Sequence, residues 1–246
     1  MRLALFADIH ANRQALFACL EAARARGAER FIFLGDYVGY GADPEWTVAT
    51  VMGFVADGAL AVRGNHDNAI GSPAETMNAE AQAAIEWTRG RLSAPERKFL
   101  AELPLTHLED DRLYVHSEAS TPAKWRYVRS SADAGRSLIA TDAHITFCGH
   151  IHRPTLYSMS ATGKMTSFVP ISGGGVQLLT GRRWLVVLGS VGQPRDGDPA
   201  ASFAMFDTIS REITWCRAPY DIDTAAQRIR DNGLPPSLAD RLFVGR

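Results

Sequence analysis

Five of the seven histidines stand in short motifs with Asp, Asn and Gly: Asp8-Ile9-His10, Gly35-Asp36, Gly64-Asn65-His66-Asp67, His116, and Gly149-His150-Ile151-His152. Imidazole, carboxylate and carboxamide oxygen together form a mixed donor set that suits borderline divalent metals such as manganese, iron, cobalt, nickel or zinc. The donors outnumber what one ion requires, so two ions are expected. In the third motif Asn65 offers a neutral carbonyl oxygen and His66 an imidazole that can exchange a proton near neutral pH. Asp67 could hold that ring in one orientation. Taken alone, Gly-Asn-His-Asp is also a good surface turn, and a single histidine is more often a hydrogen-bonded structural residue. Five that fall at strand ends would need repeated coincidence. A closed structural zinc site does not fit, because such sites favour thiolates and only Cys148 lies near these motifs.

The elements that must position these residues can be read from periodicity. Residues 2–7 are an apolar run ending on Asp8-Ile9-His10, and Asn12 can cap a helix with the stripe Leu16, Cys19, Leu20, Ala23, stopped by Gly27. Phe31-Ile32-Phe33-Leu34 is a second strand ending on Gly35-Asp36. Pro44 opens a helix through about Ala56, and Ala59-Leu60-Ala61-Val62 is a strand leading into Gly64. This alternation predicts a parallel sheet with right-handed crossovers, in which functional groups gather at the carboxyl ends of the strands.

Residues 74–102 read as helix, with a capping box at Ser93-Ala94-Pro95-Glu96; a lid over the site is possible, and packing is favoured. Short strands flank the turn Glu109-Asp110-Asp111, and the second of them ends on His116. A loop carrying Trp125, Arg126 and Tyr127 leads to a helix over 131–141, and Ile145-Thr146-Phe147-Cys148 is one more strand. From Thr155 onward the pattern is strands joined by tight turns, so a second, largely antiparallel sheet packed on the first is expected. Helices over 222–231 and 237–243 finish the chain. The fold class expected is α+β/α/β, a two-layer β-sandwich flanked by helices, in one domain over residues 1–246.

Composition narrows the function. Net charge is −1, so no basic face announces nucleic acid, and an anionic substrate must be held by a local device such as metal ions. Three scattered cysteines, no membrane-length apolar run and an apolar start cut short by Asp8 fit a cytoplasmic protein.

In this order the five motifs resemble those of the calcineurin-like metallophosphoesterase superfamily, over residues 3 to about 206. The resemblance implies a four-layer α/β/β/α fold. It also implies that Asp8, His10 and His152 hold one metal, that Asn65, His116 and His150 hold the other, and that Asp36 bridges both. His66 would be the general acid, with Asp67 steering it. Two ions about 3.5–4 Å apart generate a hydroxide at neutral pH for in-line attack and clamp the phosphoryl oxygens. Ala11, Ser117 and Asp67 depart from the family's frequent residues without removing a ligand. The stretches 35–44 and 189–195 look like the compact prokaryotic branch of phosphodiesterases and dinucleoside-tetraphosphate hydrolases.

The expected partner is therefore a small phosphorylated substrate, a nucleotide among the options. Asn65, Arg126 and Arg195 are its expected contacts; Arg195 or Arg126 could grip a distal phosphate bidentately, although a solvated or packing arginine is commoner. Tyr40, Trp125 and Tyr127 could stack on a base, although packed aromatics are commoner. Manganese leads the expected metals. A phosphomonoesterase is the second reading, a DNA nuclease the third, and a non-catalytic scaffold the last, since no ligand is eroded. Oligomeric state is not readable from the chain.

Overall fold

In the computed structural model, which describes residues 1–72 and 77–246, the alternating start forms as expected. β1 (Arg2–Phe6), α1 (Arg13–Ala25), β2 (Arg30–Phe33), α2 (Pro44–Ala56) and β3 (Leu60–Ala61) follow in turn. Asn12 caps α1 by accepting from the Ala15 N–H at 3.1 Å, and Leu16, Cys19, Leu20 and Ala23 are buried. α3 (Asn65–Gly71) begins where the residue types suggested a turn. Its N-cap is Gly64, and Asp67, three residues on, accepts the Gly64 N–H at 2.9 Å. That acid supplies the half of a capping box that a glycine cap leaves open.

The middle contains α4 (Ala79–Arg91) and α5 (Ala94–Glu102), the latter with both hydrogen bonds of the Ser93/Glu96 capping box. The part of the helical expectation on residues 74–76 lies outside the described residues. β4 (Thr106–Glu109), β5 (Arg112–Val115), α6 (Ser131–Ile139) and β6 (Ile145–Cys148) come next. Then follow β7 (Thr155–Ser160), β8 (Met165–Phe168), β9 (Gly175–Gln177), β10 (Arg182–Val187), β11 (Ala201–Asp207) and β12 (Glu212–Ala218). The chain ends in α7 (Ile222–Asp231) and α8 (Pro236–Asp240).

Among the described residues the strands form two mixed sheets, ordered β3-β2-β1-β11-β12-β9 and β4-β5-β6-β10-β7-β8. β1, β2 and β3 are mutually parallel, as are β5, β6 and β10, and the other pairs are antiparallel. The strands after Thr155 therefore do not make a sheet of their own. They split, β11, β12 and β9 extending the first sheet while β10, β7 and β8 extend the second. The physical reason is burial on both faces. Trp184 and Val186 of β10 face the first sheet while Leu185 and Val187 pack outward, so β10 needs a central place beside β6.

Alternation along each central strand builds the layers. Leu3 and Leu5 of β1 join Phe147, Val186, Phe206 and Trp215 between the sheets, while Ala4 and Phe6 face α1 and α2. α6 covers the outer face of the second sheet through Ala134 and Leu138. The result is helix, sheet, sheet, helix. No helix among the described residues is long and apolar enough to cross a membrane.

Candidate metal centre

The carboxyl ends of β1, β2 and β3 in one sheet, and of β5 and β6 in the other, meet at one edge of the sandwich. Asp8 and His10 follow β1, Asp36 follows β2, Asn65 and His66 follow β3, His116 follows β5, and His150 and His152 follow β6. All are buried except Asn65, which is half-buried. Asp8, His10, Asp36, His150 and His152 have φ between 51° and 69°, the left-handed region. Such backbone costs about 1–3 kcal/mol per non-glycine residue and persists where the surroundings impose it. Here the surroundings are cross-chain hydrogen bonds, from Asp8 N–H to the Gly35 carbonyl at 3.1 Å and from His10 N–H to that of Asp36 at 2.9 Å.

The ring orientations are fixed from behind. His10 Nδ1 donates to the Val38 carbonyl (3.1 Å), His116 Nδ1 to that of Leu34 (2.8 Å) and His152 Nδ1 to that of Gln193 (2.6 Å). His150 is turned the other way, its Nε2 donating to the Trp125 carbonyl at 2.8 Å. A carbonyl can only accept, so each ring commits a proton outward and points its other nitrogen inward.

Inward, the donor atoms fall into groups. Asp8, His10 and His152 form one and Asp36, His116 and His150 another, and Asp36 also groups with His10 and His66. Asp36 Oδ2 lies 3.7 Å from His10 Nε2 and 3.3 Å from His116 Nε2, facing both sides at once. Asn65 Oδ1 is 3.1 Å from His116 Nε2. Asp8 Oδ1 is 3.5 Å from His152 Nε2.

Protonation tests whether metal fits. Burial holds the His10 and His152 rings far below the usual imidazole range, so both are neutral. Their Nε2 lone pairs then face each other at 3.1 Å with no proton between them. Two acceptors so placed call for a cation. On the other side, burial alone would depress His116, but the Asp36 carboxylate lifts it to about 9. A proton on His116 there does the job of a missing positive charge. Its neighbour His150 is pushed by burial, and then by the His116 charge, down to about 3. Burial opposes the Asp36 charge, yet His116 and His66 hold that carboxyl well below the carboxylate range. Burial raises Asp8 to about 8, opposed by His116 and assisted by Asp36. The donor set fits divalent metal on both sides of Asp36.

These shifts predict how metal-free protein responds to pH. His116 and Asp8 have folded values above their unfolded ones, so their stabilisation is present at low pH and is lost as pH rises through about 8 to 9. The depressed histidines are neutral in both states about one unit above 6.5, the unfolded midpoint, and add no slope beyond about pH 7.5. Chelated protein should therefore lose roughly 5 °C of Tm between about pH 7.5 and 9. Metal-loaded protein, whose ligands are already deprotonated, should lose much less. Equal slopes in paired thermal melts would contradict this protonation pattern.

Asp67 departs from its expected role. Its carboxylate accepts from the backbone N–H groups of Asp36 (2.8 Å), Tyr37 (2.9 Å) and Gly64 (2.9 Å), and no hydrogen bond joins it to the His66 ring among the described residues. It clamps the β2 loop to the β3 loop, because helix α3 turns the carboxylate toward those amides. Burial raises it to about 7, with Asp36 adding to the rise and the Gly64 amide opposing it. The His66 ring is held instead by packing, 4.8 Å from His10 and 4.6 Å from Tyr40 between centroids. Among the described residues its buried Nδ1 has no hydrogen-bond partner, and a Cβ at Gly39 would stand 2.3 Å from that atom.

Gly64 lies equally close to Asp36. A Cβ there would sit 2.2 Å from Asp36 Oδ1 and 2.3 Å from its backbone N, while the φ of −97° is open to any residue. Gly64→Ala should thus act by crowding alone, destabilising by roughly 1–3 kcal/mol in denaturant melts and weakening metal retention. An alanine variant as stable as wild type would mean that Asp36 is free to move.

The expected substrate contacts divide. Arg195 is near the centre: its backbone N–H donates to the His152 carbonyl at 3.1 Å, and its guanidinium lies 5.7 Å from the Tyr40 ring centroid. Arg126 is exposed and is not among the residues lining the two cavities that Arg153 and Arg195 line. The three aromatics pack on the histidines. Tyr40 lies against His10 and His66, Trp125 edges His116 at 6.1 Å, and Tyr127 stacks on His150 at 4.0 Å and 7°. The carbonyls of Leu34, Val38, Trp125 and Gln193 were not foreseen, since backbone acceptors leave no mark on residue type.

The sequence model of the calcineurin-like phosphoesterase superfamily domain matches residues 1–211 of this chain. The chain belongs to that superfamily. An uncharacterized protein of Methanocaldococcus jannaschii is 33% identical over 250 residues, 99% of this chain and 98% of that one. The crystal structure of a metallophosphoesterase from Sphaerobacter thermophilus is 33% identical, with 100% of both chains covered and a TM-score of 0.88. A hypothetical protein from Pyrococcus horikoshii OT3 shares the fold at 19% identity, with a TM-score of 0.79 over 100% of this chain and 98% of that one. The phosphoesterase motifs read from the sequence thus identify the family correctly, and with it a metal-dependent hydrolase of phosphoric esters. Both mixed sheets and their flanking helices are those of the metallophosphoesterase fold.

Proposed function

We propose that this phosphoesterase is binuclear and hydrolyses a small phosphodiester or dinucleoside polyphosphate. The observation that carries the reading is Asp36 Oδ2, which faces His10 on one side and His116 on the other. Asp8, His10 and His152 would hold one ion, Asn65, His116 and His150 the second, and Asp36 both. Manganese leads the candidates, with iron, nickel, cobalt and zinc suiting the same donors. Bound there, a pair of ions supplies a nucleophile at neutral pH and neutralises phosphoryl charge.

The chain's own groups do the rest. Asn65 presents a carboxamide at the mouth of the second group, placed by the first turn of α3 to touch a phosphoryl oxygen as well. His66 gives a proton to the departing oxygen. Burial holds its ring below the usual range and the Asp36 carboxylate opposes that, and the negative charge of an arriving phosphoryl group shifts the ring toward its protonated form. Arg195 orients the part of the substrate beyond the scissile bond. We also propose that residues 1–246 act as one domain, and that the buried free thiols Cys19, Cys148 and Cys216 support a reducing, cytoplasmic setting.

The test is a comparison of initial rates for Mn²⁺-loaded protein on an aryl phosphomonoester, an aryl phosphodiester and diadenosine tetraphosphate. Higher kcat/KM on the last two supports the reading. Preference for the monoester replaces it with a phosphomonoesterase, and inertness toward all three removes catalysis.

A further inference from the structure

A cavity of about 490 Å³ lies beside the histidines that follow β6, walled in part by Ile151, the residue between His150 and His152. Arg129, Arg153 and Arg195 line it together with Tyr127, and no carboxylate does. Among the described residues none of these three arginines forms an ion pair, unlike Arg112, Arg217 and Arg228 elsewhere on the chain. The chain as a whole carries a net charge of −1, so three unpaired guanidinium groups in one cavity are not an overspill of positive charge.

Each arginine is also held in place. Arg153 Nε donates to the Arg195 carbonyl at 2.7 Å, and Arg195 donates through its guanidinium to Gln193 Oε1 at 2.8 Å. The Arg129 guanidinium lies 4.2 Å from the centroid of Tyr127, the ring that stacks on His150. The contacts seat the guanidinium groups against residues that touch the candidate metal ligands. They leave N–H groups uncommitted in a cavity with no anion of its own. Guanidinium forks match the oxygens of phosphate in geometry and charge, and a site already ordered loses less side-chain freedom on binding.

From this arrangement we infer that the cavity is a subsite for a second phosphate of the substrate, beyond the one that is hydrolysed. The inference rests on the binuclear reading above, and it narrows the substrate to phosphate esters or anhydrides that carry at least one further phosphate. A terminal phosphate, a dianion near neutral pH, or a bridging one, a monoanion, would there meet three cations, while the scissile phosphoryl group lies at the histidines.

Binding without turnover tests this. α,ω-Alkanediphosphonates with one to four methylenes are titrated calorimetrically into the metal-loaded full chain, beside alkylphosphonates of the same length. The ratio of the two Kd values reports the second anionic group, and the double substitution separates the cavity's share from chelation of the metals by both phosphonates. At the best-fitting length the wild type should favour the diphosphonate by about 10-fold or more. In Arg129→Gln/Arg153→Gln that preference should collapse toward unity while the alkylphosphonate Kd stays put. A wild-type ratio near one at every length overturns the subsite, as does a ratio that survives the double substitution. If the preference holds and responds to the substitution but no ester is turned over, the subsite stands and the hydrolase reading fails.

Discussion

Replacing Asp36 by asparagine is expected to lower kcat/KM by about 10³-fold or more and to cut metal content below two ions per chain. The carboxylate has two separate tasks. Oδ1 accepts the His66 backbone N–H at 2.9 Å, and Oδ2 faces His10 and His116. Asparagine can keep the first contact with its carbonyl oxygen. In place of the second it puts an amino group, which carries no charge and turns N–H donors toward two imidazole lone pairs. Loss of several kcal/mol of charge stabilisation corresponds to the stated rate loss, since each factor of ten is about 1.4 kcal/mol. The loop itself should survive, because Asp67 grips the backbone N–H groups of Asp36 and Tyr37. Metal analysis of desalted protein, with circular dichroism as a control, separates the two effects. Two retained ions and an undiminished rate would end the bridging role.

For His66→Ala a fall in kcat of about 10²–10⁴-fold is expected, with metal content unchanged. The size should depend on the leaving group. A 4-nitrophenolate departs without much help, whereas an alkoxide needs a proton, so alkyl esters should lose more than aryl esters. An equal loss on both would assign the ring to positioning rather than proton donation. Gly39 belongs to the same prediction, since the space it leaves is where the buried Nδ1 of His66 lies.

Local signals in the chain were sufficient for its first half. The cap at Asn12, the proline at 44 and the stripe of α1 depend on neighbours three or four residues away, and the observed Arg13–Ala25 and Pro44–Ala56 follow from them. The motif residues fell at strand ends for the same reason. What sequence could not convey is choice of partner at long range. β10 and β11 read equally well as antiparallel strands, but one joined the second sheet beside β6 and the other joined β1 in the first. Asp67 stood next to His66 in sequence and yet turned to amides about thirty residues back. The acid three residues after Gly64 was a legible sign of helix α3, outweighed by the turn-like residue types around it. Arg129 and Arg153 carried no motif at all, and only the fold brings them beside Arg195.

The ligands of the candidate centre come from both layers of the sandwich. Asp8, His10 and Asp36 descend from one sheet and His116, His150 and His152 from the other, above an interface of apolar side chains such as Leu5, Phe147 and Trp215. Ions shared across that seam would act as rivets. The layers could not part until the rivets released, so metal would slow the escape from the native state as well as deepen it. A cell short of the metal would then lose this protein twice, first as a catalyst and then to proteases that attack the opened chain. Its abundance would track the metal supply with no dedicated regulator.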